Sequence, residues 1–197
     1  IAFALGEFYS IMEKKGAKPL RWMGMCASVF IADYYFVQPD ITSHQVLGVI
    51  IVIVLLTVIW ELFSDKENSG QNISATMAGI LFVPILLGTA IDIRQFDSLM
   101  GTQLTLALVL SVWACDSAAF IFGTKFGDAK IFPRVSPNKS WAGSIAGLIA
   151  SLGVFYLFYH QGWLGDYFSM KDAIVFGIIT GVFGQIGDFA ESLLKRD

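Results

Sequence analysis

The feature that most constrains this chain is a series of long apolar blocks, of which VIIVIVLLTVIW at 49–60 is the clearest. A soluble core scatters its apolar residues at helical spacing among polar ones, whereas an unbroken block suits a lipid surround. Backbone N–H and C=O groups cannot stay unpaired in hydrocarbon, so a spanning segment is a helix or part of a closed barrel. A barrel strand alternates, and this block does not. Of 197 residues, 55% are hydrophobic and 15% charged, and the mean hydropathy is +0.66. The reading is therefore an all-α, polytopic transmembrane bundle forming a single membrane domain over 1–197.

About 20 residues are needed to cross a hydrocarbon core of about 30 Å. Six segments qualify: 22–37, 45–62, 74–92, 103–122, 141–160 and 172–190. They follow IAFALGEFYSIM, which reads as the end of a further helix and implies that the sequence starts part-way through a longer protein. Asp33 makes 22–37 the weakest span, with a re-entrant or interfacial element as the alternative. Gly143 with Gly147, and Gly177 with Gly181, form G-x-x-x-G pairs suited to close helix packing.

If the connections alternate sides, one side collects Lys14, Lys15, Lys18, Arg21, Lys66, Lys125, Lys130, Arg134, Lys139, Lys195 and Arg196, leaving Arg94 and Lys171 for the other. The positive-inside rule assigns the basic side to the cytoplasm. On the opposite side Trp163, Tyr167 and Phe168 suit the membrane interface, and His44 and His160 lack partners at metal-ligand spacing. The net charge of −3 and the lack of a basic tract give no reason to expect nucleic acid. Cys26 and Cys115 lie in apolar segments and read as small hydrophobic residues without a disulfide.

Three segments carry polar chemistry. Asp116 stands in VWACDSAAFIFG, about six residues and roughly 9 Å from the basic end of its span. An ionisable group at the bilayer centre costs about 2.5 kcal/mol or more, which makes a functional role the default. The loop GTKFGDAKIFPRVSPNKSWAG mixes Gly123 and Gly127, Pro133 and Pro137, and four basic residues in a composition suited to polyphosphate. Ser140 is placed to cap the helix starting at Trp141, whose N-terminus would also face an anion. A basic loop serving only topology and anionic lipid is the alternative, and spacing does not choose between them. In GQIGDFAESLLKRD, Asp188, Glu191, Ser192 and Lys195 share one helical face and offer ligands for a divalent cation and a phosphate.

DSAAFIFGTKFG, SPNKSWAG and GDFAESLLKR, in this order and spacing, resemble the phosphatidate cytidylyltransferases, also called CDP-diacylglycerol synthases; LGEFYSIMEKKG adds a weaker likeness. The resemblance implies attack of a phosphatidic acid phosphate oxygen on the α-phosphorus of CTP, giving CDP-diacylglycerol and pyrophosphate with Mg²⁺ as cofactor. It implies Asp116, Asp188 and Glu191 as metal ligands, and Lys139, Asp188, Lys195 and Arg196 as catalytic residues. Lys125, Ser136, Lys139, Ser140, Ser192, Lys195 and Arg196 would hold substrate phosphates. The expected setting is the inner membrane, multi-pass, with CTP reaching the site from the cytoplasm; oligomeric state stays open, a homodimer included.

Two departures stand out. Ala142 occupies a position where the family commonly has Glu, and the family signature continues past Lys-Arg into a Gly- and His-rich stretch and an Asp-Arg-x-Asp element, whereas this sequence ends at Asp197. Other readings are a different CTP-dependent lipid enzyme, such as a CDP-archaeol synthase or polyprenol kinase, and a transporter with Asp33, Asp116 and Asp188 along its path.

Overall fold

The computed structural model describes residues 1–37, 43–64, 67–134, 136–166 and 168–196; the side chains of 37, 43–47, 195 and 196 also lie outside the description. Lys66 and Tyr167, and the side chains of His44, Lys195 and Arg196, therefore fall outside it. The described elements are helices: α1 (Ala2–Lys14), α2 (Arg21–Val37), α3 (Ser43–Leu62), α4 (Ser69–Ile80), a π-helical segment (Leu81–Ile85), α5 (Leu86–Gln95), α6 (Met100–Phe126), α7 (Trp141–His160) and α8 (Met170–Arg196).

Among the described residues, four stretches are long and apolar enough to cross a membrane: Ser69–Gln95, Met100–Phe126, Trp141–His160 and Met170–Leu194. They correspond to the last four predicted spans. The first two are also helical, α2 with 17 residues and α3 with 20. Helix α3 is rich in β-branched residues that favour strands in water; in lipid the need to pair every backbone group internally outweighs that preference. Hydropathy did not reveal that the third span changes register at Leu81–Ile85. Pro84 lies inside this π-helical turn and has no N–H to donate.

The chain divides into two compact units, Ile1–Asp92 and Ile93–Asp197. Hydropathy gives no hint of the division, because both units are built from apolar helices. In the first, buried polar groups tie the helices through α4. The Tyr9 hydroxyl donates to the Thr76 carbonyl at 3.1 Å, the Leu20 N–H to Thr76 Oγ1 at 2.9 Å, and the Lys18 N–H to Asn72 Oδ1 at 2.6 Å. Asn72 Nδ2 in turn donates to Glu61 Oε1 at 2.5 Å.

The second unit consists mainly of α6, α7 and α8. Its core of Leu104, Ala107, Phe155, Phe158, Leu164, Phe168 and Ala173 sits where α6 begins and α7 ends. Phe168, expected at the membrane interface, belongs instead to this core, 5.6 Å from the ring of Phe176, while Trp163 remains half exposed. At the opposite end small residues bring the backbones together. A Cβ on Gly143 would lie 2.5 Å from the Ala119 carbonyl oxygen, and one on Gly147 2.9 Å from that of Cys115. Gly177 and Gly181 meet Leu152, Ser151 and Leu148 in the same way, and Ser151 Oγ donates to the Gly177 carbonyl at 2.8 Å. The packing role read from both glycine pairs is what the structure shows. Away from these contacts, Ile149, Ile178 and Phe183 stay exposed, as lipid-facing residues do.

Candidate active-site cleft

Helix α6 runs four residues beyond the predicted span, ending at Phe126. Asp116 is thus ten residues from the helix end, about 15 Å along the axis, against the six residues and roughly 9 Å expected from the sequence. Gly123, expected in a loop, is helical and packs against Gly143. A Cβ on Gly127 would collide with Ser140 and the Gly123 carbonyl. These glycines allow the end of α6 to lie against the start of α7.

The chain from Gly127 to Ser140 doubles back on itself. Lys130 and Ser140 form an antiparallel bridge; the Ile131 N–H donates to the Lys139 carbonyl at 3.2 Å and the Trp141 N–H to the Ala129 carbonyl at 3.0 Å. Inside this turn the Ser136 N–H donates to the Phe132 carbonyl at 2.8 Å. Ser140, extended and buried, then caps α7 by accepting from the Gly143 N–H at 3.3 Å.

This arrangement borders a cleft of about 740 Å³ lined by Asp116, Phe120 and Lys125 of α6, Ser136, Lys139 and Ser140 of the loop, and Gln185 and Asp188 of α8, among others. Six residues singled out from sequence therefore converge: Asp116, Lys125, Ser136, Lys139, Ser140 and Asp188. Lys139 Nζ bonds Asp188 Oδ2 at 2.8 Å and lies 4.6 Å from the Phe189 ring centroid. Asp116 is close enough to both to interact electrostatically.

Two residues of the expected site do not line the cleft. Ser192 and Glu191 lie further along α8, Glu191 about 4.5 Å of helical rise beyond Asp188. Among the described residues no three His, Cys, Asp or Glu side chains are grouped to hold one metal ion. Helical periodicity correctly put Glu191 near the face of Asp188, but it says nothing about where a cleft ends.

Other lining residues were not singled out as ligands. Gln185 donates from Nε2 to the Ser144 carbonyl at 3.0 Å, tying α8 to α7 beside Asp188. Its position three residues before Asp188 was the available signal. Asp128 and Asn138 also line the cleft. In total three lysines, Lys125, Lys130 and Lys139, face three aspartates, Asp116, Asp128 and Asp188. The formal charges of these described lining residues balance, so the cleft offers both cationic and carboxylate groups. Asp116 and Asp188 fit a hard cation such as Mg²⁺, which typically takes one or two protein carboxylates and fills its shell with water and substrate phosphates.

Fold and cleft together define a polytopic helical membrane protein with a charged cleft at one end of its second helical unit. A model of the cytidylyltransferase family matches residues 1–197. The chain belongs to that family. It is 34% identical over 138 residues to a phosphatidate cytidylyltransferase of Haemophilus influenzae, covering 68% of this chain and 48% of the relative. The enzyme of the same name from Bacillus subtilis is 29% identical over 180 residues, covering 90% and 62%, and that of Thermotoga maritima 29% over 153 residues, covering 74% and 54%. The chain thus spans about half to three-fifths of the length of these relatives.

Proposed function

We propose that the protein containing this chain transfers a cytidylyl group from CTP to phosphatidic acid, releasing pyrophosphate, and that the cleft of the second unit holds the reacting phosphates. The observation that carries the reading is the convergence of Asp116, Lys125, Ser136, Lys139, Ser140 and Asp188 on one cleft from three stretches distant in sequence. The names of the relatives supply the substrates.

Phosphoryl-type transfer calls mainly for positioning and charge stabilisation. Lys139 and Lys125 attract the polyphosphate, and the Ser136 and Ser140 hydroxyls orient its oxygens. Bound Mg²⁺ would offset charge developing on the leaving pyrophosphate, with Asp116 and Asp188 as its protein ligands. The Lys139–Asp188 ion pair keeps both side chains at the cleft until substrate arrives. No protein nucleophile is needed, because a lipid phosphate oxygen forms the new P–O bond as the bond from the α-phosphorus to the pyrophosphate oxygen breaks. The basic loop supports a cytoplasm-facing site in the inner membrane, within reach of both a soluble nucleotide and an interfacial lipid phosphate.

The test supplies the purified full-length protein with labelled CTP and either phosphatidic acid or a polyprenol. A cytidine liponucleotide formed with one pyrophosphate per turnover is the expected result. Phosphorylated polyprenol, or transport without nucleotide turnover, would replace this reading with a rival.

A further inference from the structure

Lys139 carries its charge on a flexible four-carbon stem, so holding it at one point costs side-chain entropy. Its visible anchor is Asp188, at 2.8 Å. Yet Asp188 is also one of the two carboxylates suited to a cation, and a carboxylate turned toward a cation gives up much of its hold on the lysine. A second anchor is needed that does not compete.

The next residue on α8 provides it. Phe189 presents its ring to Lys139 Nζ at 4.6 Å from the centroid, inside the range in which a cation is drawn to an aromatic face. The ring is braced by the same loop that carries Lys139: Phe132 meets Phe189 edge-on, with centroids 5.4 Å apart and planes at 88°. Loop, ring and ammonium thus form a closed arrangement against α8. Phe132 is more than half exposed and Phe189 half-buried, so neither belongs to the packed core.

We propose that Phe189 is a positioning residue that seats the Lys139 ammonium at the cleft independently of Asp188, keeping it available to the nucleotide polyphosphate. The seat follows from the geometry; its service to the nucleotide rests on the proposed function.

Two measurements on the full-length protein separate these parts. In the first, an amine-reactive reagent is applied without substrate, and labelling of Lys139 is compared with that of the exposed Lys130 by peptide mass spectrometry. Phe189→Leu is expected to raise the Lys139-to-Lys130 ratio several-fold, and Phe189→Trp to keep it near wild type. An unchanged ratio in Phe189→Leu overturns the seat whether or not the protein turns over CTP. In the second, Phe189→Leu is expected to raise KM for CTP by about 3- to 30-fold with little change in kcat or melting temperature. Phe189→Trp should restore KM, and Phe189→Leu should have no further effect on KM in a Lys139→Ala background. An equal effect in both backgrounds, or failure of Trp to rescue, overturns the positioning role. Altered labelling in a protein that never releases pyrophosphate would overturn only the transfer reading and leave the seat standing.

Discussion

Lys139 and Asp188, 49 positions apart in sequence, meet at 2.8 Å with about a quarter and nearly half of their side-chain surfaces exposed. At that exposure the pair contributes little to stability, about 0–1 kcal/mol. Its value lies in substrate binding. Lys139→Ala is expected to leave the melting temperature nearly unchanged while raising KM for CTP about 10- to 100-fold, the range of a lost charge-assisted hydrogen bond. Steady-state kinetics beside a thermal scan check both halves. Asp188 was legible in the sequence because a carboxylate at the end of an apolar run stands out, and Lys139 because a basic loop with Gly and Pro suits polyphosphate. Phe189 was not, since one more aromatic in a spanning helix carries no signal until the structure shows what rests on its ring. Gln185 was half legible: its spacing from Asp188 is visible, but its bond to the Ser144 carbonyl depends on how α7 meets α8. Glu191 is the converse case, a residue in register with Asp188 by helical spacing that is not among those lining the cleft.

Among the elements, α7 shows how local chemistry and packing combine. Ser140 caps it and Gly143 brings its first turn onto α6. Ser140→Ala should cost about 1 kcal/mol through loss of the cap. Gly143→Ala should cost about 1–3 kcal/mol, because the opposing atom is a backbone carbonyl that cannot rotate away. Gly153→Ala is the control: a Cβ there meets nothing within 4 Å, and stability should not fall. Melting temperatures in one detergent give the comparison. The start of α6 is sensitive to pH. The Met100 and Leu99 N–H groups hold the Asp97 carboxyl below its usual range. Its stabilising effect is therefore present above the ordinary aspartate pKa and disappears as pH falls through the lower folded value. Wild type should melt above Asp97→Ala at neutral pH, and the difference should close on strong acidification; a gap that widens in acid would contradict the assignment. The spans themselves could be read from hydropathy, but the π-helical turn at Pro84 and the extension of α6 to Phe126 could not, as both leave mean hydropathy almost unchanged.

For the molecule as a whole, charge asymmetry predicts an orientation that can be measured. Helix α7 has 20 residues, about 30 Å of rise, long enough to reach from one side of a bilayer to the other. In a protein with Cys26 and Cys115 replaced, an impermeant thiol reagent added to intact cells should label Gln161→Cys and spare Asn138→Cys. The reverse pattern would put the cleft on the wrong side for cytosolic CTP. The division into two units had no counterpart in the sequence reading, because the polar stretch DIRQFDS at 92–98 looks like any connection between spans. The central claim is that Asp116 and Asp188 work in one cleft during cytidylyl transfer, and pyrophosphate release from CTP and phosphatidic acid tests it most directly. Asp188→Asn and Asp116→Asn, which keep side-chain size, should each lower the rate about 100-fold or more while leaving the protein folded. Wild-type rates in either folded variant would contradict the account.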